Sequence, residues 1–505
     1  MRSHLTRCVC ILFCLWNGLA SAGGISDPFG TESMLPLKPA LRPGGATGDP
    51  CAAAMPEGAL NLLDVVNLAL CNNPQTREVW ANSRAQAAQV GVSQASYLPS
   101  PSLSASGNRS RLEAAPSVYQ RNIGLSLSYL LYDFGARAAN LENARQLLVA
   151  ASAAQDSTVQ AIFLSAVQSF YQTQAALAVL DAAYESERAA KESFVAASAR
   201  YAVGSATPAD KLQAQTALSQ TTLNRIAADG NMKNAKGILA NMLGLDANRD
   251  VLLVTAKKPL RGSATSTGTP AMDAAEGAVN DASPEGEALK ILAQDVHGLI
   301  EEARQRRPDL YAAAAQVKAA EASADAVRAS DKPNIFLNAS TNQTSSAGIT
   351  SRGSSAGISL SVPIFSGFAP TYRVRAAEAQ VEARSAQLER LRLQVALDVW
   401  TAYQNLTTAT QSLRSTADLL NSAEQSEHVA LGRYKAGVGN ILDVLNAQSA
   451  LASARQQRIQ SVFNWSIGRA ALAQAMGGLN EGLLQTLPDA ASKQPGDSPQ
   501  RGSQP

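Results

Sequence analysis

The chain has 505 residues, with 43 basic and 41 acidic side chains and a formal net charge of +2. That near balance gives no whole-chain electrostatic reason to expect a nucleic-acid partner. Aromatics are only 5% while Ala, Ser and Gln recur, so periodic helix packing fits better than a bulky globular core.

The amino end reads as a secretory signal over 1–22. Arg2 and Arg7 form a basic start, Cys8 to Leu15 an apolar run too short to span a bilayer, and Ala20-Ser21-Ala22 a small-residue cleavage site. No early cysteine stands in a Leu-Ala-Gly-Cys lipidation context. Cleavage removes Cys8, Cys10 and Cys14 and leaves Cys51 and Cys71, which can pair in an oxidising compartment or remain as two thiols. Past the signal no stretch approaches the ~20 apolar residues of a spanning helix. Residues 23–58 and 481–505 are rich in Pro, Gly and Ser and are expected to be flexible.

A self-match at a shift of 233 to 234 residues organises the rest. Arg200-Tyr201-Ala202-Val203-Gly204 aligns with Arg433-Tyr434-Lys435-Ala436-Gly437, and Asp210, Leu212, Ala214, Gln215, Ala217 and Leu218 meet Asp443, Leu445, Ala447, Gln448, Ala450 and Leu451. Nine of these nineteen positions are identical, too many for shared composition. The chain therefore divides into a first repeat, 59–245, a connector, 246–293, and a second repeat, 294–480.

Each repeat opens with a polar helical stretch, Thr76 to Ser96 or Leu310 to Ser330. Two alternating stretches follow. Leu103 and Ala105, then Ile123, Leu125, Leu127, Tyr129 and Leu131, alternate with Ser, Gly and Asn; Ile335, Leu337, Ala339, then Ile358, Leu360, Val362 and Ile364 do the same. Period-two alternation predicts strands with one apolar face, paired as hairpins, a pattern also met at the edge of a soluble sandwich. Proline-free stretches rich in helix formers come next, Ala136 to Val203 and Thr371 to Ala436. At 1.5 Å per residue, ~65 residues make a rod of roughly 100 Å, which calls for coiled-coil packing. Gly204 and Gly437 suit left-handed caps. Returning helices are expected from Pro208 to Leu243 and from Asn440 to Met476.

Four half-polar strands cannot stand alone in hydrocarbon, because open edges leave backbone groups unpaired. Two copies would fill a barrel with side chains, whereas three make about twelve strands and leave an aqueous lumen. The expected fold is mainly α with membrane β: a tandem-repeat protomer giving a trimeric twelve-stranded β-barrel continued by a long α-helical barrel.

The pattern Arg-Tyr-x-x-Gly-x5-Asp-x-Leu-x-Ala-Gln-x-x-Leu at 200–218 and again at 433–451 resembles the periplasmic hairpin tips of TolC-family outer-membrane factors, and Ser361-Val362-Pro363-Ile364-Phe365 resembles their strand-to-helix junction. The first repeat departs there, with Leu130 opposite Pro363. The resemblance implies a homotrimeric channel in the Gram-negative outer membrane with a long periplasmic extension. Implied partners are a periplasmic adaptor, an inner-membrane transporter (an ATP-driven one for secretion), an exported polypeptide and outer-membrane lipid. It implies no enzyme activity, and His4, His297 and His428 form no metal-ligand cluster, so no metal or cofactor is expected.

The lack of a lipidation cysteine points to type I secretion of a toxin-like polypeptide, and within the family the chain is similar to the CyaE-like toxin-secretion subgroup. Small-molecule efflux is the alternative, and a coiled-coil or adhesin stalk a remote one. The family's gate implies that Tyr434 bonds Asp210 and that Asp443 supplies a ring of charge in the lumen, with Arg200, Tyr201, Arg433, Gly204 and Gly437 shaping the tips. Two departures are Gly439, where a second latch arginine is common, and Asn446, where an acid is common. Helix capping is the alternative role for both aspartates, which lie in first turns.

Overall fold

A computed structural model describes residues 27–35, 58–111, 117–254, 296–346 and 348–479. In each repeat a short helix leads into a second across a proline: α1 (Leu62–Asn72) and α2 (Pro74–Ala95), then α5 (Val296–Arg306) and α6 (Pro308–Ser330). A hairpin follows each pair, β1 (Ser100–Ser110) with β2 (Val118–Tyr132), and β3 (Asn334–Ser346) with β4 (Ile349–Ser361). Each repeat ends on a 67-residue helix, α3 (Ala136–Ala202) or α7 (Ala369–Lys435), and a 35-residue return, α4 (Pro208–Met242) or α8 (Ile441–Ala475). The long helices thus lie within two residues of the expected limits. The short helices α1 and α5 were not expected.

The stops are written in glycine. Gly204 (φ 76°), Gly244 (φ 71°), Gly437 (φ 79°) and Gly477 (φ 72°) close α3, α4, α7 and α8. Each is followed by the paired backbone bonds of a Schellman cap, such as Ser205 N to Arg200 O and Val438 N to Arg433 O. At Gly244 and Gly477 space is limiting too, because a Cβ would lie 2.7 Å from Asn72 O and 3.0 Å from Arg306 C respectively.

The chain forms two compact units. The first, 1–38, 79–154 and 311–389, holds an antiparallel sheet of order β1-β2-β3-β4. Its register places Ser102, Ser126, Ser340 and Ser355 in one row. On this face Ser102 and Ser126 hydroxyls meet at 2.7 Å, Ser340 and Ser355 at 2.9 Å, and Asn338 Nδ2 donates to Ser359 at 2.9 Å. The opposite face carries Leu103 beside Leu125, Pro101–Leu127–Ala339–Ala356 in a row, and Tyr129–Leu337–Ile358. Toward the β3–β4 turn that face becomes polar at Thr341, Gln343 and Arg352. Its apolar residues are uncovered, Leu103 being 68% and Ile358 71% exposed. The outer edges of β1 and β4 have no strand partner among the described residues.

At the sheet-to-helix junctions Phe134 (φ 50°) and Gly135, then Gly367 and Phe368 (φ 62°), form consecutive left-handed pairs. Holding phenylalanine there costs on the order of 1–2 kcal/mol. In the first repeat Asp133 anchors the turn by accepting from Arg137 N at 2.8 Å and Arg137 Nε at 3.0 Å. The Arg137 guanidinium lies 4.8 Å from the Tyr97 ring centre. Aromatics cluster at these junctions, with Tyr132 against Phe134 at 4.8 Å and Phe365 against Phe368 at 5.5 Å.

Residues 27–35 belong to this unit and differ from the flexible segment expected over 23–58. They form a 3-10 turn, Thr31–Met34, and Leu35 is buried with Ala87, Val90, Ala144 and Leu148. Gly91 makes room for the segment, since a Cβ there would stand 3.2 Å from Thr31 Cγ2. Residues 36–57 and 480–505 lie outside the described residues.

The second unit, 39–78, 155–310 and 390–505, has its core where α1 packs on α3, α4 and α8. Leu62, Val65, Val66 and Leu70 meet Ile162, Phe163, Val167, Phe170, Leu239, Leu243 and Ala470. Burying each large side chain contributes about 1.5–3 kcal/mol. Leu60 and Leu253 pair in a parallel bridge over this cluster, so the first residues of the connector are structured; 255–295 lie outside the described residues. One expectation is corrected: α3 does contain an 18-residue window apolar enough to cross a membrane, with mean hydropathy 1.3. A third of that window is buried in the protein, and α3 contributes Ile162, Phe163, Val167 and Phe170 to this core.

Candidate functional site

The two repeated motifs fold as helix-turn-helix tips, both in the second unit. In the first, α3 stops at Gly204 and Thr207 starts α4 through a capping box. Asp210 N donates to Thr207 Oγ1 at 3.2 Å, and Asp210 Oδ2 accepts from Thr207 N at 2.8 Å and Thr207 Oγ1 at 2.9 Å. In the second, Asn440 caps α8 by accepting from Leu442 N at 3.2 Å. Asp443, the repeat equivalent of Asp210, has no hydrogen-bond or ion-pair partner among the described residues and is exposed. One acid is tied into a cap. The other is free.

The tips pack on each other through Ala197, Ala214, Tyr434, Ile441 and Val444, with Phe194 and Leu445 alongside. Tyr434 is 6% exposed, and its hydroxyl has no hydrogen-bond partner among the described residues. The expected Tyr434–Asp210 bond is therefore not made within the protomer: the carboxylate is held by Thr207 and the hydroxyl is enclosed by apolar side chains. Arg200 does bridge the repeats. Its guanidinium carbon lies 4.2 Å from the Tyr434 ring centre, and Nη2 donates to Tyr434 O at 2.7 Å and Lys435 O at 3.4 Å. Below it, Ser193 and Gln448 join α3 to α8 at 3.1 Å.

Tyr201 is exposed, with Lys211 Nζ 5.5 Å from its ring centre, and Arg433 is exposed on the tip. Gly439 has a steric reason. A Cβ there would stand 2.9 Å from Tyr434 N and 3.0 Å from Arg433 C, so an arginine in its place requires the end of α7 to shift. Farther along the coil Arg225 Nε meets Glu187 Oε2 at 2.7 Å. A hydrogen bond from Thr222, then Arg225 itself, holds the Glu187 carboxyl below its usual range. Among the described residues no group of His, Cys, Asp and Glu could hold a metal ion. Cys71 is disulfide-bonded; Cys51 lies outside the described residues.

Arg200 is the tip residue whose contact sequence reasoning missed. Its repeated motif marks it, but its partner lies 234 residues away.

The family described as "Outer membrane efflux protein" matches residues 65–245 and 299–478, the same two repeats. The chain belongs to that family. It is 32% identical over 438 residues to "Protein CyaE" of Bordetella pertussis, covering 85% of this chain and 86% of that one. It is 26% identical over 438 residues to "Probable efflux pump outer membrane protein TtgC" of Pseudomonas putida, covering 83% of each. Among solved structures, the Campylobacter jejuni CmeC outer membrane channel superposes with a TM-score of 0.69 at 18% identity, covering 88% of this chain and 96% of that one. As a family member this protein is an outer-membrane channel component, and its fold is the TolC-like one of membrane sheet and long helices.

Proposed function

We propose that the protein is the outer-membrane duct of a tripartite machine for type I secretion of a polypeptide, working as a homotrimer with a periplasmic adaptor and an ATP-driven inner-membrane transporter. The observation that carries the reading is the sheet. It has one hydroxyl-laddered face, one uncovered apolar face and two edges without a strand partner among the described residues. Such a sheet is stable in a bilayer only when its edges are closed by other copies, and three copies enclose a water-filled lumen lined by the serine rows. The exported substrate crosses that lumen, and the energy comes from the transporter. Similarity to CyaE favours secretion over efflux, while the likeness to TtgC keeps efflux as the second reading.

The helical tips form the resting entrance, with Arg200, Tyr201, Gly204, Asp210, Arg433, Tyr434 and Gly437 shaping it. Asp443, unengaged in the protomer, offers three carboxylates to the lumen. Cross-linking in outer-membrane detergent extracts should trap trimers; monomers or dimers alone would sink the architecture. Deleting the gene should abolish release of a polypeptide exported by a neighbouring ATP-driven transporter. Unchanged secretion with raised drug sensitivity would select efflux instead.

A further inference from the structure

We infer that Arg200 is the positioning residue of the entrance: it clamps the first repeat's tip to the second by lying on the Tyr434 ring and holding the last carbonyls of α7. This rests on the proposed reading of the tips as the entrance. Three contacts converge on one guanidinium, the ring face at 4.2 Å and the Tyr434 and Lys435 carbonyls at 2.7 and 3.4 Å. Tyr434 O already accepts from Gly437 N at 3.1 Å in the cap, and the guanidinium adds a second, charged donor at the negative end of α7, where a cation is favoured. The flat guanidinium can stack on an aromatic face while its edge donates, which an ammonium cannot do.

The other candidate links are unavailable. The Tyr434 hydroxyl is buried without a partner among the described residues, Asp210 is occupied by Thr207, and a side chain at Gly439 collides with the end of α7. The clamp is one-sided as well. Arg433, the repeat equivalent of Arg200, is exposed with no such ring or carbonyl contact among the described residues, and Tyr201, the equivalent of Tyr434, lies near Lys211 instead. Duplication alone therefore does not produce the contact. Because the Ser193–Gln448 bond fastens the coil beneath and the apolar cluster still joins the tips, losing Arg200 should loosen the tip and leave the coil packed.

The test uses the full-length protein purified from outer membranes. In planar bilayers Arg200→Gln should raise resting conductance severalfold, and Arg200→Lys less. Tyr434→Leu should raise it as Arg200→Gln does, with no further rise in the double variant, because both remove one contact. Tyr434→Phe keeps the ring and should conduct as the unaltered protein does. An unchanged Arg200→Gln, or a Tyr434→Phe that opens the channel, overturns the clamp.

A second measurement is independent of conduction. Spin labels at Val203→Cys and Val438→Cys, 79% and 70% exposed in the parent, report the separation of the tips. It should lengthen or broaden in Arg200→Gln and stay unchanged in Tyr434→Phe. If the unaltered protein passes no current, the channel reading falls while these distances still judge the clamp; equal distances with and without Arg200 overturn it. Arg200→Lys serves both assays if Arg200→Gln does not reach the membrane.

Discussion

Neighbouring residues on β2 separate the two faces of the sheet. Leu127 lies in the apolar row Pro101–Leu127–Ala339–Ala356, and Ser126 in the serine row Ser102–Ser126–Ser340–Ser355. The apolar positions of β2 run from Ile123 to Leu131, with Leu127 at their centre. Eight steps of ~3.4 Å at a tilt of about 40° rise roughly 20 Å, close to the ~25 Å apolar band of membrane barrels. Leu127→Arg therefore puts a charge near the bilayer midplane and should cost about 2–4 kcal/mol per protomer. Ser126→Arg points the same charge into water. It loses the 2.7 Å bond to Ser102 and should cost about 1 kcal/mol or less. Urea titration of protein refolded into phospholipid vesicles measures both costs. Conductance gives the converse reading, because three added charges in the lumen should shift ion selectivity in Ser126→Arg only. If Ser126→Arg is the costly change and Leu127→Arg is tolerated, the faces are assigned the wrong way round.

The remaining expectations concern caps, charge and the disulfide. Gly244→Ala and Gly477→Ala should each cost more than the ~1–2 kcal/mol of a left-handed alanine, because a Cβ meets backbone at 2.7 and 3.0 Å. Gly204→Ala and Gly437→Ala, with nothing within 4 Å, should cost only that backbone amount in thermal unfolding. Thr207→Ala removes a capping box and should cost about 1 kcal/mol, read as faster amide exchange at the start of α4. Asp443→Asn should leave stability unchanged but weaken block by divalent cations in planar bilayers. The Glu32 N–H donating to Asp27 Oδ2 at 2.6 Å, with Thr31, holds that carboxyl below its ordinary range. Its contribution is present at neutral pH and lost as pH falls through the lowered value, so residues 27–35 should become protease-sensitive in acid, and Asp27→Asn should flatten that dependence. Cys51 is the proposed partner of Cys71, and two free thiols per mature chain without reductant would disprove the pairing.

What was legible in the sequence was punctuation. Gly204, Pro208, Gly437 and Asn440 mark where helices stop and start, because glycine alone takes the left-handed cap easily and Thr, Asn and Asp satisfy first-turn amides. The strands were legible because Leu and Ser alternate with the period of the pleat. Helix α1 was missed although Asn61 and Asp64 form its capping box and Leu62, Val65, Val66, Ala69 and Leu70 its buried stripe. Its eleven residues end two short of Pro74, and the polar helical pattern is evident only from Thr76. The Leu60–Leu253 bridge joins residues almost two hundred positions apart, which no local pattern reveals. At the tips the motif located the residues but not their contacts. Whether an aspartate caps its own helix or reaches across depends on what stands three residues before it, and Thr207 decides that for Asp210.

The duplication also explains why the tips are asymmetric. Both repeats keep the backbone devices, since two Schellman caps and two short turns are needed wherever a long helix reverses. Side chains at equivalent positions were free to diverge, and they did so in pairs. Thr207 and Asp210 close a box where Asn440 and Asp443 do not, which leaves one acid hydrogen-bonded into its own cap and its equivalent unengaged. Arg200 reaches Tyr434 while Arg433 does not reach Tyr201. A tip built from identical halves would place equal charges and equal contacts on both hairpins and could not distinguish the one that moves from the one that holds. With the second tip held by the first through Arg200, and the free carboxylate on the second, contact and charge fall on one hairpin. On the proposed reading of the tips as the entrance, displacing that hairpin would both open it and carry its charges away.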